Sequence, residues 1–307
     1  MNLPLVSVII PAYNGARTIR ETLDSVFAQT YPNVEVIVVD DVSRDDTRAI
    51  LEGYGIRIVF KPRETNSGIC DRARVDAISL AHGKYCAFID QDDLWTPDKL
   101  EKQVAFMEAN PDIPLSHTYV NVIDENGEVM EVRHQGKIPP TGICARELLD
   151  HCFITISSIM VKPNVWLEAQ QYHGMKHANS DVETFFYILK KYPAGIGFIP
   201  KVLGSYRRWS QSMSRQNWKW RPEDVNALDR VYEGRYWEGL IDKDEVMRKI
   251  GSAYAKNAEH YRHKGHPGRA LYFVWNGLAY APCNMELYFT GIKSIARGLL
   301  GQGFKIK

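Results

Sequence analysis

Residues 6 to 41 read VSVIIPAYNGARTIRETLDSVFAQTYPNVEVIVVDD, an apolar run, an amphipathic stretch and a second apolar run. Each apolar run is continuous rather than alternating, as a strand buried on both faces requires. Between them Ile19, Leu23, Val26 and Phe27 recur at helical spacing and predict one apolar helix face. The pattern repeats outward. RDDTRAILEGY predicts a short helix with Asp45 or Asp46 as its cap, and IRIVFK predicts a third strand. DRARVDAISLAHG predicts a helix with Ala73, Ala77 and Leu80 inward and Gly83 ending it, and KYCAFID a fourth strand. Strands alternating with helices predict a mostly parallel α/β sheet with right-handed crossovers. Ligands of such sheets bind beyond the carboxyl ends of the strands, where Asp40-Asp41 and Asp90-Gln91-Asp92-Asp93 fall.

After residue 110 the alternation stops. YVNVIDENGEVMEV predicts a hairpin about Asn126-Gly127, FITISSIMV a strand, DVETFFYILKKY a helix and GFIPKVLGSYRRW a further strand. From about Pro222 the pattern is helical, with one hairpin of tetratricopeptide type in which Tyr254, Ala258 and Tyr261 face Ala270 and Phe273.

The chain has 307 residues, 45% hydrophobic and 24% charged, ordinary values for a folded protein with a sizeable core. A net charge of +1 gives no overall attraction to nucleic acid. Five cysteines without a CxxC pair predict a reducing compartment rather than a disulfide framework. The opening MNLPLVSVIIPAYNG lacks a basic leader segment, and no stretch approaches the roughly 20 apolar residues of a membrane span, so the expectation is a cytoplasmic protein. His117, His134, His151, His173 and His177 show no metal-ligand spacing, which argues against structural zinc.

Carboxylates that converge at a sheet edge suit a hard divalent cation, because Mg²⁺ and Mn²⁺ prefer oxygen. A solvated acidic loop before the helix after Thr96 is the plainer alternative for Asp90, Asp92 and Asp93. Four blocks in order weigh against it: VSVIIPAYNG, SVFAQTYPNVEVIVVDDVSRDDT, NSGICDRARVDAISLAHGKYCAFIDQDD and WTPDKLEKQ. With these blocks the chain resembles the inverting family-two glycosyltransferases of GT-A fold over roughly residues 4 to 215.

The resemblance implies a GT-A domain over 1–215, with a nucleotide-binding half 1–110 and an acceptor half 111–215, followed by a helical extension over 216–307. It implies that Pro11, Ala12 and Tyr13 contact the base and that Asp41 hydrogen-bonds it. Arg74 then lies near the phosphates, although Val75 stands where the family has Asn. Asp90 and Asp92 meet ribose and metal, and Asp93 is a further ligand or an orienter. The implied cofactor is Mn²⁺ or Mg²⁺. The implied partners are a nucleoside diphosphate sugar, UDP before GDP or dTDP, and a saccharide or lipid-linked acceptor from bacterial surface polysaccharide synthesis.

NSDVETFF matches the segment that carries the family's base. Asp181 takes that role, Ser180 stands at the Glu position, and Glu183 supplies a nearby charge. A helix cap is the alternative for Asp181. YRRWSQSMSR places Arg207 and Arg208 to clamp the diphosphate, with Trp209 at the family's His position. Trp218 and Trp220 follow and offer either sugar stacking or anchorage of the tail.

A sugar-nucleotide pyrophosphorylase needs a Gly-rich basic loop after the first strand, and PAYNGAR lacks one. A nucleotide-binding module without transfer activity is the other alternative, resting on Ser180 and Trp209. At the C-terminus Ile292, Ile295, Ala296, Leu299 and Leu300 share a helical face among Lys293, Arg297, Lys305 and Lys307. That pattern predicts either an amphipathic membrane contact, at the inner face, or a helix packed on the preceding hairpin.

Overall fold

The computed structural model describes residues 3–136, 141–173, 181–209 and 222–299. The chain divides into two compact units, Met1–Ser210 and Gln211–Lys307.

The first unit is a nine-stranded mixed sheet flanked by helices, with strand order β3-β2-β1-β4-β8-β6-β9-β5 and β7 paired to β6. The strands are β1 (Val6–Ala12), β2 (Val34–Asp40), β3 (Val59–Pro62), β4 (Tyr85–Phe88), β5 (Leu94–Trp95), β6 (Leu115–Ile123), β7 (Val129–Val132), β8 (Met160–Val161) and β9 (Ile196–Arg207). Helices α1 (Ile19–Phe27), α2 (Thr47–Glu52), α3 (Cys70–Ile78) and α4 (Lys99–Ala109) accompany the first half. Helices α5 (Ala145–Asp150), α6 (Pro163–His173) and α7 (Asp181–Lys191) accompany the second.

β1 to β4 are mutually parallel, as the continuous apolar runs predict, and every residue of β1 is buried. Val8, Ile10 and Val38 pack there with Ile19, Leu23 and Val26 of α1. Each fully buried Ile or Leu contributes on the order of 1.5–3 kcal/mol. Register sets the site: Ala12 lies beside Asp40, and Ile9 lies beside both Ile37 and Phe88. The carboxyl ends of β1, β2 and β4 therefore finish at one edge.

Three local readings change. The third strand begins at Val59, because Gly55–Arg57 forms a 3₁₀ turn with Gly55 at φ +53°. Gly83 does not end α3, which stops at Ile78. Gly83 is instead pressed on β1, where a Cβ would meet the Ser7 backbone nitrogen at 2.7 Å. FITISSIMV is not one strand: a 3₁₀ turn over Ile156–Ser158 precedes the short β8. The Ser158 hydroxyl donates to Thr155 O at 2.6 Å, a local bond that competes with sheet pairing.

The second unit holds α8 (Pro222–Glu233), α9 (Lys243–His263), α10 (Pro267–Tyr280) and α11 (Met285–Leu299). Asp242 caps α9, accepting from the Asp244 and Glu245 nitrogens. The predicted hairpin is α9 with α10: Tyr261 stacks on Phe273 at 5.2 Å, and Tyr254 lies 6.0 Å from the same ring. Among the described residues no helix is long and apolar enough to cross a membrane.

Candidate functional site

The ends of β1 and β2 are laced together by short polar bonds. Asn14 and Val42 have φ of +52° and +67°, and a β-branched residue in that region costs on the order of 1–3 kcal/mol. Such strain persists only where its surroundings enforce it. Here Asn14 N donates to Ser43 Oγ at 2.8 Å, and Arg44 N donates to Asn14 Oδ1 at 2.7 Å. Asp41 is buried. Its Oδ1 accepts from Ser67 N at 3.0 Å, its Oδ2 accepts from Ser67 Oγ at 2.8 Å, and Arg63 Nε lies 3.0 Å from Oδ1. Pro11 and Ala12 are buried in the sheet, whereas Tyr13 is 41% exposed at its edge.

β4 delivers the acidic run to the same edge. Gln91 grips the Tyr13 backbone from both sides: its Oε1 accepts from Tyr13 N at 2.7 Å and its Nε2 donates to Tyr13 O at 2.8 Å. The three carboxylates then diverge. Asp90 Oδ1 accepts from Arg74 Nη2 at 2.6 Å. Asp92 Oδ2 accepts from the Trp209 indole N–H at 2.9 Å. Asp93 is buried, with Oδ1 accepting from Arg207 N at 2.8 Å and Oδ2 from the Ser157 hydroxyl. Burial, then the charge of Asp90, pushes Asp92 up to about 6. Burial and its two acidic neighbours hold Asp93 well above the usual carboxylate range.

Arg74 is the hub. It is buried on α3, and its Nη1 donates to Asp71 Oδ1 at 2.7 Å, one helical turn away. Burial opposes its charge, yet Asp90 and Asp71 together raise its pKa well above that of a free arginine. The same Nη1 lies 4.0 Å from Asp181 Oδ1, at the first residue of α7. That oxygen is buried without a hydrogen-bond partner among the described residues. Burial first, then the charge of Asp71, pushes Asp181 up to about 7. An unsatisfied carboxylate oxygen with a pKa near neutrality can exchange a proton at physiological pH.

The structure thus brings Tyr13, Asp41, Arg74, Asp90, Asp92, Asp93 and Asp181 to one sheet edge and its immediate flank. The two arginines after β9 separate. Arg207 is buried, with Nε donating to Asp92 O at 2.9 Å and Nη2 to Glu21 Oε2 at 2.6 Å. Arg208 pairs instead with Glu131 of β7 at 3.2 Å. Ser180, His177, Trp218, Trp220, the serine-rich segment after Trp209, Leu300, Lys305 and Lys307 lie outside the described residues, as do the side chains of His173, Arg297 and Leu299. Among the described residues no three His, Cys, Asp or Glu side chains form a cage for a metal ion. An ion that takes one or two protein oxygens and fills its shell with water and phosphate needs none. Asp92 fits that demand, because the like charge of Asp90 destabilises its ionised form and a cation offsets this.

Gln91, Ser157, Asp71, Arg63 and Ser67 are structural members of the site that sequence reading passed over. The Asp71–Arg74 spacing of three on a helix is the one readable signal among them. The others act on site residues 22 to 78 positions away along the chain.

Comparison with known proteins follows the same lines. The sequence profile described as glycosyl transferase family 2 matches residues 7–162. The chain is 34% identical over 221 residues to a Bacillus subtilis protein named for teichuronic acid biosynthesis, the glycosyltransferase TuaG, covering 70% of this chain and 84% of that one. It spans only 31 to 36% of the length of several Rickettsia glycosyltransferases that also match. In fold it is similar to S. aureus TarS residues 1–349 in complex with UDP, with TM-score 0.64, 18% identity and coverage of 99% of this chain and 94% of that one. It is also similar to the mannosyltransferase PcManGT of Pyrobaculum calidifontis in complex with GDP-Man and Mn²⁺, with TM-score 0.56, 17% identity and coverage of 100% and 89%.

Proposed function

Since the chain belongs to glycosyl transferase family 2, we propose that it is a metal-dependent inverting glycosyltransferase that moves a sugar from a UDP-sugar to a hydroxyl acceptor of a bacterial surface polysaccharide or its lipid-linked precursor. One observation carries the reading. Asp181 begins α7, far along the chain from the acidic run, yet a single guanidinium, Arg74, stands against both Asp181 and Asp90.

In this reading Tyr13, Pro11, Ala12 and Asp41 receive the base, and Asp90 the ribose. Arg74 orders the carboxylates beside the phosphates. Asp92 holds Mn²⁺ or Mg²⁺, whose charge offsets that of the departing diphosphate. Asp93, both of whose oxygens already accept hydrogen bonds, fixes the turn that aims Asp92. Arg207 buttresses the same turn through Asp92 O. Asp181 takes the acceptor proton as the hydroxyl oxygen attacks the anomeric carbon. The bond from that carbon to the diphosphate breaks on the opposite side, and its configuration inverts.

The mannosyltransferase solved with Mn²⁺ and GDP-Man and the TarS structure with UDP support a nucleotide donor and a divalent ion as ligands of this chain. The relative named for teichuronic acid biosynthesis supports a surface polysaccharide as acceptor. A nucleotide-binding module without transfer is the second reading, and the Trp209 hydrogen bond on Asp92 is the observation in its favour. Purified full-length protein incubated with UDP-sugars and Mn²⁺ tests both. Release of free UDP that is lost in Asp181→Asn supports transfer. Binding of UDP without any release, under all donors and with either metal, supports the module.

A further inference from the structure

α11 is built with its polarity reversed. The face packed into the helical unit consists of Leu287, Thr290, Gly291 and Ser294, with both hydroxyl-bearing residues buried. Ser294 Oγ satisfies itself by donating to Thr290 O at 2.7 Å, and Gly291 allows the close approach of Val274 from α10. The outer face carries Met285, Tyr288, Phe289, Ile292 and Ile295, at the i, i+3, i+4, i+7 and i+10 positions of one stripe. A helix of a soluble protein buries the second set and exposes the first. α10 extends the stripe: Tyr272 and Trp275 lie one turn apart, and Trp275 is 80% exposed. Between the two helices runs an apolar groove of about 570 Å³, floored by Gly268, Val274 and Gly291 and walled by Trp275, Tyr288 and Ile292. A contiguous apolar patch of this kind marks an interaction surface.

Charge selects the occupant. From Lys264 to the C-terminus the chain carries six cations, Lys264, Arg269, Lys293, Arg297, Lys305 and Lys307, against one carboxylate, Glu286. The residues before it carry an excess of four carboxylates. Lys293 is exposed and follows Ile292 in the chain, at the flank of the apolar stripe. A second copy of this chain would bring the same cations against themselves across an isologous interface. An anionic bilayer matches all three properties: aromatic rings at headgroup depth, aliphatic side chains below them and cations against the lipid phosphates. Each such cation is attracted measurably at a leaflet bearing anionic lipid.

We propose that the outward face of α10 and α11 docks the protein onto an anionic phospholipid surface, with Trp275, Phe289, Ile292 and Ile295 entering the headgroup region and Lys293 contacting lipid phosphate.

The test is co-sedimentation of the full-length protein with vesicles of phosphatidylglycerol and phosphatidylcholine in equal parts, against phosphatidylcholine alone. Wild type sediments with the anionic vesicles and less as salt rises. The double variant Trp275→Glu/Ile292→Glu binds them at least about tenfold more weakly. The conservative pair Trp275→Phe/Ile292→Leu retains binding, which separates loss of the surface from loss of the fold. UDP release from a UDP-sugar, measured on the same samples, stays at its wild-type level in both. Wild type left in the supernatant, or carboxylate variants that bind as wild type does, overturns the proposal. So does a wild-type dimer that the carboxylate pair converts to monomer without any vesicle binding.

Discussion

The acidic sheet edge and the α10–α11 face solve opposite problems. At the sheet edge, charge is buried and the carboxylates of Asp41, Asp90, Asp92 and Asp93 each accept a hydrogen bond. Asp41 has Ser67 and Arg63, Asp93 has Ser157 and Arg207 N, and Arg74 has Asp71 and Asp90. On the helical face, apolar rings and methyl groups stand in solvent, while hydroxyls are turned inward. The lesson is that burial alone marks neither site. What marks each is the departure from its local rule: an oxygen of Asp181 buried without a hydrogen bond where both oxygens of Asp41 and of Asp93 accept them, and a helix that turns its hydroxyls inward.

The comparison breaks most visibly if the ion is unnecessary. Excess EDTA is expected to abolish UDP release, and added Mn²⁺ or Mg²⁺ to restore it. Full activity in chelator removes the metal from the sheet edge. Next in size, Arg74→Met leaves Asp71 buried without its cation, and urea titration is expected to show a loss of about 3 kcal/mol. A change within about 0.5 kcal/mol would mean that the hub carries no net stability.

Asp181→Asn follows. It is expected to lower turnover about 10²-fold or more while UDP affinity, read by calorimetry, holds. Near-wild-type turnover reduces Asp181 to a helix cap. The pH profile sharpens the same point. A base must be ionised, so kcat/KM should rise with pH through an inflection near 7, where burial and Asp71 hold Asp181. For stability the sign is the reverse. A carboxyl whose pKa is raised by folding keeps its proton longer in the native state. Its stabilising contribution is present below about pH 4 and lost as pH climbs to about 7. Asp181→Asn should flatten that part of the curve. The smallest effect belongs to the helical unit. Asp242→Ala removes the α9 cap and should cost about 1 kcal/mol in a thermal melt without altering UDP release.

Much of this was legible because period and position carry it. The parallel order of β1 to β4 follows from apolar runs with helices between them, and strand ends collect Tyr13, Asp41 and Asp90. Family resemblance added Arg74 and Asp181, which no period marks, and gave separate roles to the carboxylates of the acidic run. The remainder was hidden for physical reasons. Gln91, Ser157 and Ser67 act through hydrogen bonds that close long loops, and such pairing leaves no trace in local spacing. The fates of Asp92 and Asp93 diverge because one peptide step turns Asp93 toward Ser157 and Arg207 N, while Asp92 meets Trp209. FITISSIMV has the composition of a strand, but its serine hydroxyls found nearer acceptors. On α11 the helical spacing of Ile292 and Ile295 was plain, whereas the inward turn of Thr290 and Ser294 depends on Gly291 meeting Val274.

The grip of Gln91 on Tyr13 joins two parts of the site mechanically. Gln91 sits between Asp90 and Asp92 in the chain, so it shares its peptide planes with both carboxylates. Tyr13 cannot move away from its position without breaking two hydrogen bonds to that same residue, and Asp92 cannot be redirected far without pulling on them. In the proposed mechanism the floor under the base and the arm that reaches for the ion would thus be two ends of one short lever, pivoting on a neutral amide.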